Sequence, residues 1–139
     1  MRETAVVDAS GQIIGRISSA VAKRLLNGEE VVVVNAEKAL ITGSKAWLME
    51  EFHHRRDRGS QRRGPFYPRR PDRILHRAIR GMLPYQQPRG RAALKRLRVY
   101  VDVPPTLKDE SIERPAGPKV RTAQYMTLAD IAKRLGGEF

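Results

Sequence analysis

Between His53 and Arg98 the chain carries fifteen Lys/Arg and only two Asp/Glu. A protein interior cannot take in that many cations without partners, so whatever fold forms must turn the charged side of this stretch outward. Its densest part, RRDRGSQRRGPFYPRR at residues 55–70, holds seven arginines against one aspartate, with two glycines, two prolines and two adjacent aromatics. The flanks behave differently. Residues 1–52 carry six Lys/Arg against seven Asp/Glu, and residues 99–139 carry six against six. The net charge of +12 is therefore concentrated in one block, as expected of a footprint for a polyanion. Solubility does not require such clustering, and added acids serve it better than added bases.

The remaining composition sets the class. At 139 residues, 40% apolar and 30% charged, the chain suits one soluble α/β-sized domain with a real core. No apolar run approaches the roughly 18–20 residues of a membrane span. The N-terminus MRETAVVDAS lacks the apolar centre and cleavage site of a signal peptide. With no cysteine, disulfides, thiolate metal sites and a cysteine nucleophile are excluded, which fits a reducing, cytoplasmic setting.

Organisation follows from apolar periodicity. TAVVD (4–8) reads as a buried strand ending in the turn Asp8-Ala9-Ser10-Gly11, with Ser10 as a helix N-cap. Ile14, Ile17, Val21 and Leu25 step by three and four along one helix face, and Asn27-Gly28 stops that helix. EVVVVN (30–35) is β-branched on both faces, as in a central strand covered on both sides. Strand, helix and strand so close together predict a βαβ unit with a parallel pair. ALITG (39–43) suggests another short strand, and Ser44 caps a helix through KAWLMEEF docked by Trp47, Leu48 and Phe52. Residues 53–71 show neither period and read as a long basic loop, a length usually reserved for function.

Two helices with basic fronts follow. In DRILHRAIRGML (72–83), Leu75, Ala78, Ile79 and Met82 share one face, while Arg73, Arg77 and Arg80 lie within ~60° of one another on the opposite face. Pro84 stops this helix. In RAALKRLR (91–98), Arg91, Lys95 and Arg98 repeat the same spacing against Ala93, Leu94 and Leu97. Charge on a helix usually means a solvated face. Here no acids are interleaved at i+4, so the cations repel unless something compensates them. RVYVDV (98–103) reads as a strand, 104–121 as a surface connection, and TLADIAKRLGG (127–137) as a helix with a Thr127–Asp130 capping box.

Catalytic chemistry finds little support. DASGQIIGR sits where phosphate loops sit but matches neither a P-loop nor G-x-G-x-x-G. It reads as a tight turn, although free N–H groups there, with Arg16 nearby, can take an RNA phosphate. Glu50 and His54 stand at i, i+4, but such a pair in a cationic setting is a poor metal site, and no metal or other cofactor is expected. The basic block instead suits phosphate recognition, because arginine offers a planar fork of donors. Phe66 and Tyr67 can stack on unpaired bases.

The blocks VVDASGQIIGR, VVVVNAEKALITGSK and RRPDRILHRAIRGMLPYQQPRGRAALKRLRVY resemble large-subunit ribosomal protein thirteen, in that family's order. RRGPFYPRRP and VPP are similar to its archaeal and eukaryotic branch. The chain lacks the long C-terminal extension of eukaryotic members, which favours an archaeal source. The resemblance implies a single domain over 1–139: a three-layer α/β/α fold with a four-stranded, mostly parallel sheet, a basic extended loop, and a C-terminal extension from 104 to 139. It implies a non-enzymatic partner of large-subunit rRNA, cytoplasmic and on the ribosome, beside neighbouring large-subunit ribosomal proteins, with no membrane and no small-molecule substrate. An RNA-processing enzyme or nuclease that uses the basic block to hold its substrate is the alternative. The expected RNA-binding residues are Arg55, Arg56, Arg58, Arg62, Arg63, Phe66, Tyr67, Arg69 and Arg70 of the arm and Arg73, Arg77 and Arg80 of the first basic helix. Arg89, Arg91, Lys95 and Arg98 follow them, with Gly81, Arg16 and Lys45 completing the set.

Overall fold

The computed structural model describes residues 4–59, 62–64, 66–107, 111–113, 124–137 and 139. Thr4–Asp8 forms β1, Ile14–Leu26 forms α1 and Glu30–Val34 forms β2. β1 and β2 pair in parallel with Ala5 opposite Val31 and Val7 opposite Val33, so the predicted crossover unit is present. Leu97–Val99 (β4) joins the far side of β2, and Ile112–Glu113 (β5) joins the far side of β1. The sheet order is β4-β2-β1-β5, with all pairings parallel, in agreement with the expected α/β class. A second, two-stranded sheet pairs Leu40–Thr42 (β3) antiparallel with Tyr125–Thr127 (β6).

The core sits on one face of the main sheet. Strand side chains alternate in direction, which puts Ala5, Val7, Val31, Val33 and Leu97 on that face, all buried. Ile17, Val21, Ala22 and Leu25 of α1 meet them, together with Ile74, Leu75 and Ile79 from Pro71–Gly81 (α3). Leu128 and Ile131 of Leu128–Arg134 (α5) close the same cluster. Truncating one of the buried leucines or isoleucines of this cluster to Ala removes about 2–5 kcal/mol. On the opposite face Val6 and Val34 are buried, but Val32 is half-buried and Arg98 exposed. β2 is thus central, as its sequence suggests, yet covered on both sides only in part.

Several boundaries differ from expectation, each for a local reason. Ser10 does not cap α1; its backbone N–H donates to Asp8 Oδ1 at 2.9 Å, and Ile13 occupies the cap position. Asp8 also accepts from Asn35 Nδ2 at 3.1 Å. Asn35 follows β2 with φ of 57°, a left-handed conformation that Asn tolerates better than most residues. The second helix, Lys45–Asp57 (α2), runs five residues beyond Phe52, because Ser44 caps it and no breaker intervenes before Gly59. The basic loop therefore begins at Arg58 rather than His53. The next helix opens at Pro71, whose fixed φ suits a first turn. It ends at Gly81, which leaves Met82 exposed rather than on the buried stripe; Ile74 takes that place. The segment 104–121 is more than a connection, since it contributes β5. Thr127 caps α5 as predicted, accepting from the Asp130 N–H at 3.2 Å.

Candidate nucleic-acid interface

The arm is fastened at one residue. Tyr67 packs edge-on against Phe52 of α2, with ring centroids 6.0 Å apart. Two guanidinium groups lie over its ring, Arg55 of α2 at 5.7 Å and Arg77 of α3 at 4.7 Å. Arg55 also lies over Phe52 at 5.2 Å, pairs with Glu51 at 3.3 Å, and donates to the Tyr67 hydroxyl at 3.4 Å. Each cation–π contact is worth about 0.5–1 kcal/mol at such half-open sites. Tyr67 is half-buried and engaged, whereas its neighbour Phe66 is 70% exposed. The two aromatics that the sequence groups together therefore have different environments.

Arg73, Arg77 and Arg80 form the expected row along α3. Arg73 is exposed and the other two are half-buried. Arg80 lies over the Tyr85 ring at 5.1 Å, as Arg77 lies over Tyr67. None of the three has a carboxylate within ion-pair distance among the described residues. Nearby pairs involve other cations: Arg56 with Asp57 at 3.0 Å, and Arg70 with Asp72 at 3.3 Å. The latter is an ion pair without hydrogen-bond geometry, because Asp72 Oδ1 accepts no hydrogen bond. His76, on the same helix, is half-buried. Burial first, then the charges of Arg80 and Arg73 against an opposing Asp72, push its pKa below the usual imidazole value and keep it neutral.

A cleft of about 390 Å³ lies between arm and helix, lined by Phe66, Pro68, Arg73, His76, Arg77 and Arg80. Arg77 also borders a larger, more apolar groove of about 530 Å³, where Trp47, 57% exposed, faces Gly81 and Ile14. Gly81 is exposed, and a Cβ added there would meet nothing within 4 Å. A close backbone approach occurs at Gly90, where an added Cβ would collide with the Pro84 carbonyl. That contact seats Pro88–Lys95 (α4) against the turn that follows α3. Gly90 lies in the first turn of α4, two residues after Pro88.

The second basic row is rearranged. α4 stops at Lys95, so Arg98 belongs to β4 and the i, i+4, i+7 row is cut to Arg91 and Lys95. Arg98 and Lys95 still meet, lining a cleft of about 310 Å³ with Glu30, Val32 and Arg96. Arg96, absent from the expected set, donates to the Leu25 carbonyl and ties this corner to α1. Arg89 donates to Gln87 Oε1 at 3.2 Å. Arg58 approaches His54 Nε2 at 3.1 Å. Arg62, Arg63 and Arg69 are exposed, and Ser60, Gln61 and Pro65 lie outside the described residues. Arg16 and Lys45 are exposed on α1 and α2, and neither lines the cleft beside Phe66. Among the described residues no group of three or more His, Asp or Glu is placed to hold a metal ion. Glu50, Glu51 and His54 share a shallow groove with Trp47.

With this geometry in place, the comparisons with known proteins are specific. Residues 2–106 match the family model for ribosomal protein L13. The chain is 53% identical over 135 residues to the large ribosomal subunit protein uL13 of Archaeoglobus fulgidus, covering 94% of this chain and 86% of that protein. The corresponding protein of Methanosarcina barkeri is 49% identical over 138 residues, covering 96% and 99%. That of Methanocaldococcus jannaschii is 49% identical over 139 residues, covering 96% and 98%. The chain belongs to the ribosomal protein L13 family. Its relatives are structural ribosomal proteins and not enzymes, so the enzyme alternative falls away.

Proposed function

We propose that this chain is a cytoplasmic, structural component of the large ribosomal subunit that binds large-subunit rRNA through the arm after α2 and the basic face of α3, with neighbouring ribosomal proteins around it. The observation that carries this reading is the row Arg73, Arg77 and Arg80: three guanidiniums on a packed helix, two of them seated on tyrosine rings, none with a carboxylate partner among the described residues. An arginine held by a ring is oriented while its charge stays unneutralised, so its N–H edge remains available to phosphate. Arg62, Arg63, Arg69, Arg91, Lys95 and Arg98 extend the positive surface, and Arg16 and Lys45 add outlying contacts. The test is binding of the purified protein to large-subunit rRNA fragments across a salt series. Log K should fall by about 0.7–0.9 per unit of log salt for each phosphate neutralised. A flat salt profile, or absence of the protein from large subunits sedimented out of its own cell lysate, would contradict the proposal.

A further inference from the structure

The cleft between Phe66 and α3 has a composition that phosphate binding alone does not explain. A surface that only neutralises a duplex backbone needs cations and has no use for an exposed phenyl ring. Phe66 is 70% exposed, yet it shares a cleft of about 390 Å³ with Arg73, His76, Arg77 and Arg80. Its ring lies so close to Gly64 that an added Cβ would come within 3.0 Å of it, so the glycine makes room for this ring position. Gly64 also has φ of 76°, a conformation that side-chain-bearing residues rarely adopt. The chain thus accommodates an aromatic surface beside three cations rather than burying it.

We propose that this cleft is a subsite for one unpaired nucleotide, with its base stacked on Phe66 and its phosphates held by Arg73 and Arg80. The proposal rests on the RNA-binding reading above and narrows it to a strand feature, an extruded or single-stranded nucleotide. Stacking requires a free base face, which a paired base inside a duplex does not offer. The neighbouring Tyr67 is not available for this, since Arg55 and Arg77 lie over its ring. Arg77 and Arg80 are themselves held by tyrosine rings, which reduces the side-chain freedom lost on binding. His76, kept neutral by its surroundings, offers one nitrogen as donor and the other as acceptor to a base edge without adding to the charge.

The experiment compares two RNAs with the full chain: a duplex carrying a single bulged 2-aminopurine, and the same duplex without the bulge. The bulged RNA should bind more tightly, on the order of tenfold for one stacked base, and its fluorescence should be quenched on binding. Phe66→Ala should abolish both the preference and the quench, and Phe66→Tyr should retain them. A thermal unfolding scan accompanies each variant; the exposure of Phe66 predicts an unchanged midpoint. Equal affinity of the wild-type protein for the two RNAs, or a quench that survives Phe66→Ala, overturns the subsite and leaves the electrostatic reading standing. Failure of the wild-type protein to bind either RNA overturns both.

Discussion

Arg24 and Arg73 are the same residue type on helices of one small protein, and the fold satisfies them in opposite ways. Arg24 of α1 is saturated. Its Nε lies 2.6 Å from Glu29, and its terminal nitrogens reach Glu113 at 2.6 and 3.3 Å. These hydrogen bonds, to Glu113 first and Glu29 second, push its pKa further above the guanidinium range. Arg73 of α3 has no carboxylate in reach among the described residues, and its row-mates Arg77 and Arg80 are positioned by aromatic rings. A carboxylate fixes an arginine and cancels its charge; a ring fixes it and leaves the charge intact. The first arrangement clips a sheet edge, because Glu113 lies on β5 and Arg24 on the helix beside it. The second is a binding surface that is complete only when an outside anion arrives.

The sharpest way to break this comparison is to reverse the charge of the unsatisfied row. Arg73→Glu with Arg80→Glu should lower affinity for rRNA fragments by on the order of 100-fold at moderate salt and flatten the salt slope. The unfolding midpoint should fall by no more than about 5 °C, because among the described residues no ion pair is lost, like-charge repulsion is relieved, and only the Arg80–Tyr85 contact is given up. A large fall in the midpoint would show that these arginines stabilise the fold after all.

The reciprocal change is smaller and should fall on the other quantity. Arg24→Ala removes both carboxylate contacts and should cost about 1 kcal/mol of stability, a modest figure because Arg24 is 31% and Glu113 52% exposed at the side chain. Chemical denaturation measures it. RNA affinity should stay within about twofold, since the clip lies outside the basic block. An affinity loss comparable to that of the α3 double variant would erase the distinction between the two arginines.

How far this division was readable in the sequence depends on the range of the interactions. The βαβ unit was legible because Val31, Val33, Ile17, Val21 and Leu25 are local, periodic signals, and so was the row Arg73, Arg77, Arg80, which needs only helical geometry. The clip was not. Its partner strand is two residues long, Ile112–Glu113, takes its form from pairing with β1, and places Glu113 eighty-nine positions after Arg24 in the chain. The same holds for Gly90, whose need for a bare Cα comes from a neighbouring turn, and for Arg98, which leaves its helical row because β2 offers a free edge. Phe66 and Tyr67 looked equivalent as adjacent aromatics. Only the tertiary placement of Phe52, Arg55 and Arg77 separates the one that fastens the arm from the one left exposed.

The smallest expected effect is a dependence on pH that belongs to the clip alone. The hydrogen bond from Arg24 holds the Glu113 carboxyl below its ordinary value of 4.5, against an opposing effect of burial, with the Arg24 charge the smallest contribution. A carboxyl whose folded pKa is depressed contributes stability that is fully present above its unfolded pKa. That contribution is lost as pH falls through the lower, folded value. Wild-type protein and Glu113→Gln should therefore differ by a few tenths of a kcal/mol in denaturation at pH 7, given the exposure of the pair. The difference should shrink below pH 4.5 and vanish once Glu113 is protonated in both states. A gap that persists into acid would mean that Glu113 acts through packing or β5 pairing rather than through its charge. An ion-paired arginine inherits the pH limits of its carboxylate, whereas a ring-held arginine keeps its charge until an anion from outside meets it.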